Sequence, residues 1–315
     1  MLSNLDFLLD KSWAESYFSK RFVGAKILGL KRSETFNTES FNVLYSLETN
    51  DGNKMIRLSA STQGERKPTY DILKYIFEND FEIGDVLVPR PIGFDPEINA
   101  FMYEDVSGHT FMFDLNRSIN WLETKINQIA GGLKKFHDIP RPSSKIWGHE
   151  WGEHEWGINR TVMRSFYPRL ADNVDNIKKS ILAQLAENKK NNLCHGDFQP
   201  NNLIFSNEQL YILDFGLACR GDRELDVASF VVQLKIMLRK YGDVSNFPRL
   251  SDIFLRSYGE FDTRKVKLYS VLLSLRILDY FMVFPDSENN RERIPFGYEL
   301  VKKNLANISV YVDET

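Results

Sequence analysis

Two short stretches hold the residue types that chemistry needs. His195-Gly196-Asp197-Phe198-Gln199-Pro200-Asn201-Asn202 spells H-x-D-x-x-x-x-N, and Asp214-Phe215-Gly216 follows twelve residues after Asn202. With each residue type used at about 5%, the two patterns meet in this order by chance roughly once in ten thousand chains of this length. Phosphoryl transfer accounts for the spacing. It asks for a carboxylate at the attacking hydroxyl and for oxygen ligands to the magnesium ion that bridges the phosphates. Asp197 suits the first role. Asn202, five residues on, can lie across the same loop and offer a neutral carbonyl oxygen to the metal, while Asp214 at the next strand end supplies the charged ligand. Gly216 permits the backbone turn that aims Asp214 inward. His195 reads as a residue packed behind the loop, holding its backbone.

These residues need elements to position them. The first hundred residues alternate strand-like runs with turn signals: AKILGLKR, SFNVLYSLET, a turn at Asn50-Asp51-Gly52-Asn53, then KMIRLSA. Asp-Gly between two such runs predicts an antiparallel hairpin. Pro68 opens a helical stretch, TYDILKYIFEND, with Ile72, Leu73 and Ile76 on one face. VPRPIGF and NAFMYEDV follow as extended segments. After Gly108 long helical patterns dominate: INWLETKINQIAGGLKKFHDI, a stretch from about Thr161 to Asn188, and most of Leu225 to the end. Between the last two lies a hairpin, its runs NLIF and LYILDF framing a turn at Ser206-Asn207. The expected organisation is α+β and bilobal, with a small antiparallel-sheet lobe over residues 1–105 and a mainly helical lobe over 106–315.

Composition narrows the class. The 315 residues include 40 Lys and Arg against 43 Asp and Glu, a formal charge of −3. A nucleic-acid binder needs a basic surplus to release phosphate counterions, so none is expected. Hydrophobic residues at 43% exceed what a disordered chain carries, and a mean hydropathy of −0.35 is too polar for a membrane protein. MLSNLDFLLDKSW has no basic start and carries Asp6 and Asp10 among its apolar residues, so it does not read as an export signal. YSVLLSLRILDYFMVF is shorter than the roughly 20 residues of a bilayer span and contains Arg276 and Asp279. It reads as a buried or amphipathic helix. Cys194 and Cys219 are far apart in sequence, form no C-x-x-C pair, and read as reduced thiols of a cytoplasmic protein.

HGDFQPNN and LDFG resemble the aminoglycoside phosphotransferase and choline kinase superfamily, which has the protein-kinase-like bilobal fold. Gly196 is similar to those small-molecule kinases, whereas protein kinases usually place Arg between His and Asp. The resemblance covers most of the chain and implies an ATP-dependent (or GTP-dependent), magnesium-requiring phosphotransferase acting on a hydroxyl of a small molecule. It implies that Arg57 in KMIRLS steadies the nucleotide phosphates. Asn42-Val43-Leu44-Tyr45 resembles the strand after the nucleotide loop, although Thr38-Glu39-Ser40 lacks the glycines common there. Met102-Tyr103-Glu104-Asp105-Val106 resembles the connector that presents backbone groups to adenine, so Asn42, Tyr103, Glu104 and Val106 join Arg57 as expected nucleotide contacts. Asp226 in ELDVASF matches a carboxylate that braces the catalytic loop, and a helix N-terminal Asp is the other reading.

One departure stands out. Thr69 falls where the family's small-lobe helix carries the glutamate that pairs with the basic strand residue, leaving Glu65 and Asp71 as imperfect substitutes, so that either the pairing is shifted or Arg57 is held otherwise. A Walker loop fails as the alternative phosphate device, because Leu30 follows Gly24 and Gly29 in the lysine position. His149-Glu150-Trp151-Gly152-Glu153-His154-Glu155-Trp156 does not suit zinc, its histidines being five apart rather than four. Trp151 and Trp156 read as packing residues or as walls of an acceptor pocket, with Glu153 and Glu155 as partners for an amine. The acceptor stays open among aminoglycosides, choline or ethanolamine, sugars and homoserine, and the oligomeric state is likewise open. Two further readings are a non-catalytic kinase-fold binding module and a protein kinase. The second lacks an activation segment ending in an A-P-E-like motif after Asp214.

Overall fold

The computed structural model describes residues 5–32, 40–62, 64–140, 157–187, 191–287 and 290–308. In chain order the first elements are α1 (Lys11–Ser19), β1 (Lys26–Arg32), β2 (Ser40–Thr49), β3 (Gly52–Ser61), α2 (Lys67–Phe77), β4 (Val86–Leu87), β5 (Pro91–Asp95) and β6 (Ala100–Glu104). There follow α3 (Ile119–His137), α4 (Arg160–Phe166), α5 (Pro168–Ala186), β7 (Asn192–Cys194), β8 (Leu203–Ser206), β9 (Gln209–Ile212) and β10 (Cys219–Gly221). The last are α6 (Glu224–Tyr241), α7 (Phe247–Tyr258), α8 (Thr263–Val283) and α9 (Asn290–Ala306). The described residues within 1–110 and 203–216 form one compact unit, and the remaining described residues form a second.

The first unit is built on a five-stranded antiparallel sheet in the order β1-β2-β3-β6-β5. Its hairpin turns at Asn50-Asp51, as the Asp-Gly signal predicts. Thr49 pairs with Gly52, whose φ of 104° favours glycine, and the Thr49 hydroxyl donates to the Gly52 carbonyl at 2.8 Å. Alternation puts Val43, Tyr45 and Leu47 of β2 with Ile56, Leu58 and Ala60 of β3 on one buried face, packed on Leu5, Leu8 and Phe18. Burying each large side chain there contributes about 1.5–3 kcal/mol. The sequence reading assigns no element before β1, yet α1 covers this face. Asp10 caps it by accepting the Trp13 N–H at 2.8 Å, and Ala14, Tyr17 and Phe18 are its buried side chains.

Pro68 in the first turn of α2 and buried Ile72, Leu73 and Ile76 match the expected helix. It ends at Phe77, short of Asp80, which has a left-handed φ of 67°. In the same unit β4, β9 and β8 make a three-stranded sheet, β4 running parallel to β9. The β8–β9 hairpin turns at Asn207-Glu208, both at positive φ, one residue later than the sequence suggests.

The second unit is helical apart from the antiparallel pair β7 and β10. The stretch read as one helix from about Thr161 is two, α4 and α5. Pro168 has no N–H to continue the ladder and holds Tyr167 out of the helical region, at φ −138° and ψ 78°. The apolar run around Arg276 is α8, buried along most of its length as expected. Among the described residues no helix is long and apolar enough to cross a membrane.

Candidate active site

The loop after β7 owes its shape to three residues. Gly196 has φ of 79°, and a Cβ there would come within 2.0 Å of the Leu217 carbonyl oxygen, so only glycine fits. His195 is fully buried and its Nδ1 accepts the Asp197 N–H at 3.3 Å, which is the backbone-holding role read from the sequence. Phe198, also fully buried, packs on Phe230 of α6 and anchors the far side of Asp197. Pro200–Asn202 then form one 3-10 turn that brings Asn202 back under the aspartate. The Asn202 amide Nδ2 donates to the Asp197 carbonyl at 2.8 Å and to its Oδ2 at 3.1 Å. Gln199 Nε2 donates to the same Oδ2 at 2.7 Å.

Behind the loop, Asp226 in the first turn of α6 is fully buried. Its Oδ2 accepts the His195 N–H at 2.7 Å and its Oδ1 accepts the Gly196 N–H at 2.9 Å. His137 Nε2 meets Oδ2 at 2.9 Å, and His137 Nδ1 meets the Tyr258 hydroxyl at 2.8 Å. Both readings of Asp226 hold: it stands at the N-terminal end of α6 and it braces the loop. Burial pushes the Tyr258 phenol well up, so it stays a neutral partner to the imidazole. The strands leading into and out of this region are tied together as well. Cys194 and Cys219, distant in sequence, stand opposite each other across β7 and β10. Both are buried, and burial pushes the Cys194 thiol up, away from the reactive thiolate. Next to them Asp222 accepts from Lys265 Nζ at 2.8 Å and from the Tyr269 hydroxyl at 3.0 Å.

In the first unit the sheet face opposite α1 is the polar one. In register across the strands stand Leu44, Arg57 and Tyr103 in one row and Asn42, Ser59 and Phe101 in the next. Asn42, Arg57 and Tyr103 therefore share a face. Arg57 pairs with Asp105: Nε lies 2.8 Å from Oδ1 and a terminal guanidinium nitrogen 2.7 Å. Arg57 is thus held otherwise than by the small-lobe helix, one of the two outcomes the sequence leaves open, and Asp71 pairs with Lys67 of its own helix. A second arginine joins the face. Arg66 leads into α2, and its N–H donates to the Asn99 Oδ1 at 2.9 Å while Asn99 Nδ2 donates to the Ser61 and Gly64 carbonyls. Burial lowers the Arg66 guanidinium, and the nearby charge of Asp214 raises it in turn. Burial likewise pushes the Tyr103 phenol up, with Arg57, Asp214, Asp105 and Arg66 all close enough to act on it.

Glu104 and Val106 lie at the connector. The Glu104 N–H donates to the Arg90 carbonyl and the Asp105 N–H to the Met55 carbonyl, both at 2.9 Å. Beside the connector opens a cavity of about 580 Å³, lined by Glu104, Asp105, Val106, Pro89 and Tyr211 among others, but by neither Arg57 nor Asp214. Asp214 itself is exposed, at φ 61°, with Oδ1 accepting the Gly216 N–H at 3.3 Å.

The structure thus gathers Asp197 and Asn202 in one unit and Asn42, Arg57, Tyr103 and Asp214 in the other. Trp151, Glu153, Glu155 and Trp156 lie outside the described residues, as do His149 and His154. Residues the sequence reading did not pick out are Asp105, Arg66 and Gln199. Strand register and tertiary contact bring Asp105 and Arg66 to the site, whereas Gln199 lies in the loop itself, two residues from Asp197.

A sequence profile of the phosphotransferase enzyme family matches residues 44–269, more than two thirds of the chain. Among solved structures, a choline kinase from Cryptosporidium parvum is similar over 96% of this chain and 98% of its own, with a TM-score of 0.66 at 12% identity. Choline kinase LicA from Streptococcus pneumoniae aligns over 93% and 98%, with a TM-score of 0.61 at 16% identity. A spectinomycin phosphotransferase, in complex with ADP and spectinomycin, aligns over 93% of each chain, with a TM-score of 0.59 at 16% identity. These likenesses establish the protein-kinase-like α+β fold. A curated relative, described as a "Probable serine/threonine-protein kinase BUD32 homolog" of Archaeoglobus fulgidus, is 29% identical over 103 residues, 31% of this chain. The chain spans 50% of that relative's length.

Proposed function

The chain belongs to the phosphotransferase enzyme family, and from that premise we propose that it moves the terminal phosphoryl group of ATP, or of GTP, to a hydroxyl of a small molecule. One observation carries this reading: a carboxylate, Asp197, on a loop whose backbone is pinned from behind by buried Asp226. A base must be held in place to take a proton at the moment of attack, and a loop fixed by charge-assisted hydrogen bonds does that. In the proposed step the acceptor oxygen attacks the terminal phosphorus and its proton passes to Asp197. The bond from phosphorus to the bridging oxygen breaks, and ADP leaves with that oxygen's charge.

The oxygen chemistry of Asn202 and of Asp214, each taken in its own unit, suits magnesium. With its amide nitrogen committed to Asp197, Asn202 turns its carbonyl oxygen the other way, and Asp214 offers an exposed carboxylate. Both are hard oxygen donors of the kind this ion takes. When bound, magnesium neutralises charge on the phosphates. Arg57, aimed by Asp105, steadies the phosphates, and Asn42, Tyr103, Glu104 and Val106 form the rest of the nucleotide site. The buried free thiols suit a cytoplasmic location.

A protein hydroxyl is the second acceptor class, favoured by the Archaeoglobus relative alone. Gly196 and the missing A-P-E-like segment weigh against it. Calorimetry with ATP or GTP and saturating magnesium, followed by acceptor-dependent ADP release from a panel of alcohols, sugars and a mixed protein substrate, tests the proposal. Absence of nucleotide binding removes it; phosphate on protein but on no small molecule replaces it with the second reading.

A further inference from the structure

Helices α6 and α9 flank a hollow of the second unit whose charge is unbalanced. A cavity of about 240 Å³ opens there, walled by Ile236, Arg239 and Lys240 of α6 and by Glu292, Arg293 and Phe296 of α9. Three cations face one carboxylate. The Arg239 guanidinium lies over the Phe296 ring, 4.4 Å from its centroid. Lys235, one turn earlier on the same side of α6, has its ammonium 5.9 Å from that ring's centroid and 5.5 Å from the Phe247 ring of α7. Among the described residues, neither Lys235 nor Arg239 makes a hydrogen bond or an ion pair. Arg293 does donate to Asn290 Oδ1, at 3.2 Å, and Lys240 lies 4.6 Å from the Tyr241 ring. Elsewhere on α9 the cations are balanced, Arg291 by Asp286 and Lys302 by Glu299.

Holding these charges together costs stability. Lys235 is half-buried, and burial together with the charge of Lys303 lowers its ammonium from the usual lysine range. A chain that keeps such a cluster beside a cavity carries a site for a counter-charge. A guanidinium over a ring leaves its five N–H donors unused, and its planar fork matches the oxygens of a phosphate. Phosphate on an ester carries about −1.5 to −2 charges at neutral pH, which answers two cations where a carboxylate answers one. At about 30 Å³ per water the cavity holds roughly eight waters, room for a phosphate head and a few carbons. The formal charge of −3 gives no broad basic field for a nucleic-acid chain.

We propose that this cavity binds the phosphate head of a small phosphate monoester, Arg239 supplying paired hydrogen bonds and Lys235 the second positive charge. The site shares no residue with those proposed for phosphoryl transfer and does not depend on that reading. No bond is made or broken there.

Calorimetry in EDTA with inorganic phosphate and glycerol 3-phosphate, against glycerol and acetate, tests the proposal. The wild type should bind both phosphates, bind acetate at least about tenfold more weakly, and show no heat with glycerol. Arg239→Gln should weaken phosphate binding by about tenfold to a hundredfold, the effect of losing hydrogen bonds to a charged group. Arg239→Lys, which keeps the charge but not the fork, should fall between. Arg256→Gln, which removes an exposed arginine paired with Asp252 on α7, should bind as the wild type does. Lys235→Met should lose affinity and yet raise the denaturant midpoint of the anion-free protein, which a merely structural lysine would not do. Absence of phosphate binding to the wild type overturns the inference, as does acetate binding of equal strength. Wild-type affinity in Arg239→Gln, with the loss found in Arg57→Ala instead, places the anion at the nucleotide site and also overturns it. So does a lowered midpoint in Lys235→Met.

Discussion

Asp226 stands directly behind Gly196, accepting that residue's N–H at 2.9 Å on one oxygen while the other oxygen takes the His195 N–H at 2.7 Å. The carboxylate is fully buried and also meets His137. Asp226→Ala strands two backbone donors and an imidazole at once. Breaking such a buried network by removing one partner costs about 3–5 kcal/mol. The expected result is a lower denaturant midpoint together with loss of phosphotransfer. Near-wild-type stability would show that water or a neighbour replaces the brace.

Gly196→Ala asks a residue with a Cβ to hold a left-handed φ of 79° with the Leu217 carbonyl oxygen 2.0 Å away. The conformation alone costs about 1–2 kcal/mol, and the contact forces the loop to move. Because the disturbance falls one residue before Asp197, turnover should drop by more than tenfold, as about 1.4 kcal/mol per decade implies. Circular dichroism should still report a folded chain. Full activity would mean that the loop's path does not position the base.

Arg57 and Asp105 form one unit on the open face of the sheet. Arg57→Ala should raise the KM for ATP about tenfold or more, the loss of a charged hydrogen bond. Asp105→Ala should act in the same direction by leaving the guanidinium unaimed. Residues in contact do not add, so the double variant should cost less than the sum of the two by about 1 kcal/mol. Strict additivity in a double-mutant cycle would dissociate the pair from nucleotide binding.

Asp214 offers its carboxylate from a turn at positive φ. Chelation with EDTA should abolish nucleotide binding heat in the wild type, and added magnesium should restore it. Asp214→Ala should weaken magnesium-dependent binding and require far more of the ion to saturate. Unchanged magnesium dependence in Asp214→Ala would assign the ligand elsewhere.

Much of this was readable from the chain. The β2–β3 hairpin announced itself through alternation and Asp51-Gly52, and the loop at Asp197 through residue types at fixed spacing, because both are local. Helix α1 is faint in the sequence because its signal is a single cap at Asp10 and a short apolar face. The break between α4 and α5 is local too, since Pro168 carries it. Asp105 as the partner of Arg57 was not legible: the pairing is set by β3 lying beside β6, 48 positions apart in sequence.

The central claim is that Asp197 meets the acceptor's proton and not the nucleotide. Asp197→Asn keeps the size and the hydrogen-bonding shape that Gln199 and Asn202 engage, but cannot take the proton. Calorimetry and steady-state turnover on this one variant separate the two functions. Magnesium-dependent ATP affinity within about threefold of the wild type, with phosphotransfer reduced by about 10²-fold or more, is the predicted result. Wild-type turnover in Asp197→Asn, in protein shown to bind ATP, would contradict it.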